Sequence, residues 1–235
     1  MPREYLFFLA IFHMEYNIGS ANERPPEEKI GENVTASIYV YYNSTYLPQR
    51  IVNSRSEDGP PRTGEIPATF LNLFKKVGEY FHNRSVMINF TVIDAETDDS
   101  IEVFYKEFKE LNASGTLAKL IMEKPNQTLP PTNIAFYYTN ATLMEYDGRG
   151  DQKKRSLQYL ATMNTFCTWH PSAAVVSVTY EYLMRDFMLT IYALFDIFGI
   201  IFNSGGVHPS QKQKLKEQLL NCTATSEGLL SAQAI

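Results

Sequence analysis

The apolar residues of this 235-residue chain alternate between two spacings, and this alternation constrains the fold more than any other feature. Segments in which every second residue is apolar predict strands, and apolar residues three or four positions apart predict helices. The predicted strands cover residues 34–42, 85–93, 133–138 and two runs within 159–178. The predicted helices cover residues 68–81, 99–111, 115–123 and 210–220. Alternating strands and helices predict an α/β fold with a layered, largely parallel sheet and flanking helices.

The longest apolar run, residues 187–202, predicts a buried helix rather than a membrane span. It is shorter than the roughly 20 residues that a span needs, and it contains Asp196. Gly199 near its end is a typical helix stop. We expect Asp186 to cap this helix and Asp196 to be solvent-facing or hydrogen-bonded. Their spacing of ten residues does not predict a catalytic carboxylate pair.

The overall charge argues against nucleic acid as a partner. The formal net charge is −5 at pH 7, and no long run of Lys or Arg occurs. Binding to phosphates requires a dense basic surface, which this composition does not supply. Hydrophobic residues make up 44% of the chain, enough for an ordinary core. We predict one domain over residues 33–223 and a tail over 224–235.

The N-terminus is typical of an export signal. A weakly basic start at Arg3 precedes an apolar run over residues 5–14, and small residues follow just before Asn22. We therefore predict a signal peptide over residues 1–21. The polar residues 22–32 predict a flexible lead-in to the domain.

Asn-x-Ser/Thr sequons are more frequent than chance predicts. Composition alone gives about two, whereas the chain has eight. This excess predicts a secreted, extracellular protein with N-linked glycans on solvent-facing turns and strand ends. The sequons lie at Asn33, Asn43, Asn83, Asn89, Asn112, Asn126, Asn140 and Asn221.

The chain has two cysteines, Cys167 and Cys222. A single pair in a secreted protein predicts one disulfide. The alternative is a thiol nucleophile at Cys167 with His170 nearby. An acidic run over residues 94–99 has two interpretations as well, a calcium site or a solvated loop.

Three segments carry a family resemblance: residues 157–167, residues 172–177, and residues 210–222 with their closing cysteine. With the order of predicted elements, they resemble the reprolysin-type (adamalysin-like) metzincin metalloproteases, especially the secreted arthropod branch found in tick saliva. The resemblance implies a strand, a long helix, a second strand, another helix and an edge strand. A segment with Cys167, an active-site helix and a C-terminal helix ending at Cys222 are implied to follow.

The zinc signature of that family, H-E-x-x-H-x-x-G-x-x-H, is degenerate in this chain. In the family three His bind zinc and the Glu is the general base. With Gly199 as the anchor, the His positions hold Tyr192, Asp196 and Phe202, and the Glu position holds Ala193. We therefore predict no metal, no other cofactor and no catalytic residue. We expect apolar side chains to fill the former metal site.

Two further departures agree with a lost zinc site. The family has a Met-containing turn beneath the metal, and this chain has no Met after Met188. The segment from Phe202 to Cys222 is short, which predicts a reduced C-terminal subdomain.

These observations favour a secreted, glycosylated, inactive protease homologue, or pseudoprotease, that binds a partner protein such as a host protein. The first alternative is a secreted zinc metalloendopeptidase of the reprolysin family with unconventional ligands. The second is a small-molecule carrier of another fold, such as a lipocalin, against which the predicted helices argue.

Overall fold

A computed structural model gives the fold and describes residues 28–47, 66–105, 110–128, 131–146, 154–178, 185–201 and 207–232. These residues form a five-stranded sheet, a three-stranded sheet and flanking helices. The predicted α/β fold class is therefore confirmed.

The strands follow the predicted alternation with helices. In chain order they are β1 (Thr35–Tyr42), β2 (Asn89–Thr97), β3 (Leu111–Asn112), β4 (Asn133–Thr139), β5 (Leu143–Tyr146), β6 (Lys154–Leu157), β7 (Tyr159–Ala161) and β8 (Ala173–Ser177). The large sheet has the order β2-β1-β4-β8-β7, and the small sheet has the order β3-β5-β6. In the large sheet the first four strands are parallel, and β7 pairs antiparallel with β8 at one edge.

The helices in the described ranges are α1 (Ala68–His82), α2 (Ala113–Glu123), α3 (Pro125–Thr128), α4 (Arg185–Ile197) and α5 (Pro209–Ala232). α2 begins two residues before the predicted start at 115 because Asn112 caps it, its Oδ1 accepting a hydrogen bond from the Gly115 amide at 2.9 Å. α5 extends well beyond the predicted 210–220 and into the predicted tail.

Helices cover both faces of the large sheet. On one face α1, α4 and α5 bury apolar residues such as Phe74, Phe195 and Leu219 against the sheet. On the other face α2 buries Leu120 near Tyr137 of β4. Every residue of β4 is buried, which explains why its sequence is a continuous apolar run rather than an alternating one.

The predicted helix over residues 99–111 is wrong. Only a 3-10 turn, Asp99–Ile101, forms there. The carbonyl of Val103 then accepts a hydrogen bond from the Asn112 amide at 2.8 Å. Because this backbone group has a partner outside a helix, the segment can stay extended. Residues 106–109 lie outside the described residues.

The predicted strand over residues 85–93 begins later than expected. β2 starts at Asn89, and Val86 makes only an isolated parallel bridge with Ile30. Ile30 is buried, so this end of the predicted flexible lead-in packs on the domain. The earlier lead-in and the predicted signal peptide, residues 1–21, lie outside the described residues.

No helix in the described part of the chain is long and apolar enough to cross a membrane. The open sheet with helices on both faces also differs from an eight-stranded barrel, so the lipocalin alternative is wrong. After α4 the described residues form α5.

The predicted disulfide between Cys167 and Cys222 is present, with a Cα–Cα distance of 4.9 Å. It joins the loop between β7 and β8 to α5. The thiol-nucleophile alternative for Cys167 is therefore wrong.

Candidate functional site

The candidate site is built on α4, which follows β8 and ends where the sequence predicts. The Gly199 amide donates to the Asp196 carbonyl, and the Ile200 amide donates to the Phe195 carbonyl, both at 2.9 Å. With Gly199 at a φ of +65°, this is a Schellman motif, a common way to satisfy the last carbonyls of a helix.

Gly199 is needed for a second reason. A Cβ atom at this position would lie 2.2 Å from Oδ1 of Asn164, in the loop after β7. The Asn164 amide also donates to the Asp196 carbonyl at 2.8 Å. The end of α4 is thus held directly against the loop that follows the edge strand.

Tyr192 and Asp196 lie one helical turn apart on the side of α4 that faces β7. The Tyr159 hydroxyl, at the start of β7, lies near enough to the Asp196 carboxylate for each group to shift the pKa of the other. The rings of Tyr159 and Tyr192 have centroids 6.2 Å apart and planes inclined by 35°. All three side chains are partly buried. We call these three residues the Asp196–tyrosine cluster.

The electrostatics of the cluster are those of a carboxylate away from bulk water. Burial raises the pKa of Asp196 above its ordinary value, and the polar hydroxyl of Tyr159 opposes that shift. Burial, followed by the charge of Asp196, raises the pKa of Tyr159 to about 12. Tyr159 therefore stays protonated at neutral pH.

The site is less apolar than the sequence predicts. Ala193 is fully buried in the core, in agreement with the prediction. Tyr192 and Asp196, however, keep part of their surface exposed, and Ile201 is 72% exposed rather than packed. Ile201 is exposed because it follows the Gly199 turn and therefore no longer lies on the buried face of the helix. Phe202 lies outside the described residues.

The three histidines of the described part of the chain do not converge. His82 Nε2 lies 3.1 Å from the carbonyl oxygen of Ile88, and His208 Nδ1 lies 2.8 Å from the Ser210 hydroxyl. His170 is exposed on the loop between β7 and β8. The described residues contain no group of three or more His, Cys, Asp or Glu able to hold a metal ion. Tyr192 and Asp196 do not fit a zinc site, which needs three converging ligands.

Asp186 lies in the first turn of α4, but it is more than a surface cap. It is 3% exposed, and the Tyr46 hydroxyl donates a hydrogen bond to its Oδ2 at 3.0 Å. Tyr46 itself is buried after β1. This contact links the start of α4 to the segment that follows β1, and no local sequence pattern indicates it.

The acidic run over residues 94–99 uses its carboxylates within the fold. Asp98 Oδ1 accepts hydrogen bonds from Ser100, and its Oδ2 is 3.0 Å from Lys124 Nζ. Asp99 accepts a hydrogen bond from the Ser44 amide at 2.7 Å. Neither interpretation describes this run: residues 94–97 belong to β2 rather than to a solvated loop, and Asp98 and Asp99 make their contacts with protein groups.

The sequons differ in exposure. The side chains of Asn33, Asn83, Asn89, Asn126 and Asn221 are exposed. Asn112 and Asn140 are partly buried, and Asn43 is only 6% exposed. The expectation of a solvent-facing position is therefore wrong for Asn43.

Asn43 belongs to a buried polar network at the carboxyl ends of β1 and β4. Its Nδ2 donates to Glu102, Thr139 and Asn140 at 3.1–3.2 Å. The Thr139 hydroxyl also donates to Glu102 at 2.9 Å. The chain continues from β1 toward one edge of the sheet and from β4 toward the opposite edge. The ends of two neighbouring strands that diverge in this way commonly form a ligand-binding site in α/β proteins. Here the position is taken up by the protein's own hydrogen bonds.

Tyr159 is the one member of the candidate cluster that no sequence pattern indicates. It lies within the segment that carries the family resemblance, but no spacing rule connects it with Asp196, 37 positions later. Only the antiparallel pairing of β7 with β8 and the placement of α4 bring them together.

Comparisons with known proteins give structural similarity only. No family model matches the chain, and no curated protein matches it. Archaemetzincin from Methanopyrus kandleri is 13% identical, with a TM-score of 0.43, over 79% of this chain and 96% of that one. Metalloproteinase-II from Bacteroides fragilis is 8% identical, with a TM-score of 0.45, over 83% of this chain and 55% of that one.

A chain of a chaperone–substrate complex is also similar, at 8% identity and a TM-score of 0.45, over 74% of this chain. The matched region spans 24% of that chain and 55% of the Bacteroides fragilis metalloproteinase. The solved structures similar to this chain thus include archaemetzincin and metalloproteinase-II. The similarity to archaemetzincin extends over nearly the whole length of the archaemetzincin chain.

Proposed function

We propose that this chain is a secreted, N-glycosylated pseudoprotease with a metzincin-like fold, which acts by binding a partner protein such as a host protein. The observation that carries the proposal is the Asp196–tyrosine cluster. Where the resembling family has zinc-binding His, this chain has Tyr192 and Asp196, and the Tyr159 hydroxyl lies near the Asp196 carboxylate.

The register of the degenerate signature is supported by the end of α4. The anchor residue Gly199 has the positive φ that a sharp turn after the helix requires. The order of elements agrees in part with the one that the resemblance implies. β1, α1 and β2 come first and α5 closes at Cys222, but the strand after α3, β4, is central in the sheet, and β8 lies between β7 and α4.

The chemistry of the ligand positions does not suit zinc-dependent hydrolysis. A catalytic zinc needs three protein ligands and an adjacent base that takes a proton from the bound water. Ala193 occupies the position of that base and has no group to accept a proton. We therefore derive no hydrolytic step for this site.

Secretion is supported by the disulfide and by the exposed sequons. A disulfide is typical of oxidising compartments. Asn33, Asn83 and Asn126 have side chains exposed to solvent, where a glycan can be accommodated.

Metal analysis and thermal unfolding test the loss of the zinc site. Protein from a secretory host cell should contain far less than one zinc per chain, and its melting temperature should not change with a strong chelator, because no metal contributes to folding. It should also fail to cleave an unfolded protein substrate. Stoichiometric zinc with chelator-sensitive cleavage would overturn the proposal in favour of the metalloendopeptidase alternative.

A binding experiment tests the second half of the proposal. The immobilised glycosylated protein is incubated with extracellular fluid, and retained proteins are identified and checked for cleavage by mass spectrometry. We expect an intact partner in a reproducible complex. If no partner remains bound across several fluids, the binding function is contradicted.

A further inference from the structure

The side of β1 and β2 that is turned away from α1 is acidic and largely exposed. On this side Tyr39 of β1 pairs with Asp94 of β2, and Tyr41 pairs with Glu96. Both carboxylates are exposed, and Tyr39 is partly buried. α2 lies on the same side of the sheet but packs mainly against β4, β7 and β8. We call these four residues the β1–β2 acidic face.

We propose that the β1–β2 acidic face docks a basic segment of the partner protein, with lysine or arginine at alternate positions. This inference rests on the proposed binding function and names the chemistry of the partner. Asp94 and Glu96 are two residues apart on one side of β2, about 6.6 Å along the strand. Alternate side chains of an extended segment have the same spacing and also point to one side.

Lys124 shows how the fold itself binds an ammonium group at the end of this face. Its Nζ lies 4.5 Å from the ring centroid of Tyr41 and 3.0 Å from Oδ2 of Asp98, which directly follows β2. An aromatic ring and a carboxylate together attract a cation more strongly than either group alone. Tyr39 and Asp94 repeat this combination of residue types two positions earlier on β1.

The two carboxylates of the face have no cation as a partner within the fold. Neither Asp94 nor Glu96 forms an ion pair with the part of the chain that the structure describes. Asp94 Oδ1 accepts a hydrogen bond from the adjacent Ala95 amide at 2.8 Å. Burial raises the pKa of Tyr41, and the charges of Glu96 and Asp94 raise it further, so their negative potential extends across both strands. A basic partner segment would complement this potential.

The shape of β2 favours docking on the face over the addition of a partner strand at the sheet edge. β2 is an edge strand, and its register with β1 shifts at Ile93, which is left without a paired residue. Such a bulge bends the strand and increases its twist, which makes the edge a poor template for another strand. The partner segment therefore contacts the face through its side chains.

A short peptide and its neutral analogue test the proposal. The probe is an acetylated, amidated pentapeptide with arginine at its second and fourth positions and threonine elsewhere, and the analogue has citrulline instead of arginine. Each is titrated into the isotope-labelled full chain and followed by NMR. The glycans are first trimmed to a single sugar, so that a glycan at Asn89, which begins β2, does not cover the face.

The arginine peptide should shift the amide signals of β1 and β2. It should bind about tenfold more tightly than the citrulline peptide, as expected from two exposed ion pairs and one cation–π contact. Equal binding of the two peptides would indicate strand addition or another contact without charge recognition, and it would overturn the proposal.

Variants localise the effect. The double change Asp94→Asn, Glu96→Gln keeps the shape of both side chains and should weaken binding of the arginine peptide about tenfold, whereas Tyr39→Leu should weaken it by a smaller factor. The matched control Glu32→Gln, Glu79→Gln removes two exposed carboxylates, before β1 and on α1, and should leave binding unchanged. If the control weakens binding equally, net charge explains the result and the proposal fails.

Partner capture separates this proposal from the proposed function. Loss of the captured partner in the Asp94→Asn, Glu96→Gln variant, with an unchanged fold by NMR, supports docking at this face. Undiminished capture by that variant, together with no binding of the arginine peptide, would refute the basic segment and leave the binding function standing. Peptide binding at the face without any captured partner would uphold the face and contradict the proposed function.

Discussion

At the scale of single residues, the sequon and the fold make different uses of the side-chain nitrogen of Asn43. The sequon predicts a glycan on Nδ2, but in the fold this nitrogen donates to Glu102, Thr139 and Asn140. A glycan there would remove a donor hydrogen and place a bulky group in a buried position. The folded structure and a glycan at Asn43 are therefore incompatible.

We expect Asn43→Ala to lower the free energy of unfolding by about 1–3 kcal/mol, because it leaves buried acceptors without their donor. Urea unfolding of the unglycosylated protein measures this directly. The control Asn126→Ala removes an exposed side chain and should change the stability by less than about 0.5 kcal/mol. Equal effects of the two changes would contradict the buried network.

Glycopeptide mapping by mass spectrometry gives an independent check on protein from a secretory host cell. Asn126 should carry glycan in most molecules because it is exposed, and Asn43 should be unmodified in the folded fraction. A folded, disulfide-bonded fraction with a glycan at Asn43 would show that the network is dispensable.

Gly199 supports a second prediction at this scale. Gly199→Ala should destabilise the protein by about 1–3 kcal/mol from its positive φ alone, and the contact with Asn164 adds to that cost. The matched control is Gly78→Ala within α1, where the new Cβ meets nothing closer than 4.0 Å. That change should stabilise the protein by about 0.5–1 kcal/mol, because Ala favours a helix. Thermal unfolding of both variants should therefore give shifts of opposite sign.

At the scale of elements, α4 carries Asp196, and the environment of this carboxyl makes the stability of the protein depend on pH. Because the pKa of Asp196 is raised in the folded state, the folded protein binds this proton more tightly than the unfolded chain does. The carboxyl thus favours folding below its unfolded pKa of about 3.9, and this contribution is lost as pH rises through the raised pKa.

Asp196→Asn removes that loss, since the amide has a similar shape and carries no charge at any of these pH values. The variant should be more stable than the wild type at pH 7, and the difference should shrink as pH falls toward 3.5. Urea unfolding at several pH values measures it. A variant that is less stable at pH 7 would indicate that a cation already pairs with Asp196 in the free protein.

The same scale shows which elements the sequence could predict. β1, α1, β4 and α4 were predicted within a few residues because each has a long apolar pattern that burial in the core explains. The helix over residues 99–111 failed because Phe104 pairs with Leu111 in an antiparallel bridge and the Val103 amide donates to the Thr116 hydroxyl. Apolar spacing does not distinguish such an extended segment from a helix.

The candidate site was predictable in part for the same reason. Tyr192, Ala193, Asp196 and Gly199 follow from one motif on one helix, whereas the contact with Tyr159 depends on the topology of the whole sheet. The sequence could therefore place the helix but not the carboxylate's partner, and it suggested an apolar site where the structure has a polar one.

At the scale of the whole molecule, the disulfide links two segments that are far apart along the chain. Cys222 on α5 is bonded to Cys167 in the loop between β7 and β8. Nearby, Gln218 of α5 donates to the Phe166 carbonyl, and Lys216 forms an ion pair with Glu28 near the start of the domain. α5 thereby connects the first and last parts of the described chain.

The disulfide gives a prediction for the stability of the whole protein. The two cysteines are 55 positions apart, and the chain-entropy model gives a loop of that size about 4 kcal/mol of stabilisation, since the linked unfolded chain has fewer conformations. Urea unfolding of the oxidised protein and of the Cys167→Ala, Cys222→Ala double variant should differ by up to that amount. The midpoint of the wild type should fall on reduction, and that of the double variant should not move. If reduction leaves the wild-type midpoint unchanged, the contacts of Gln218 and Lys216 hold α5 without help from the disulfide.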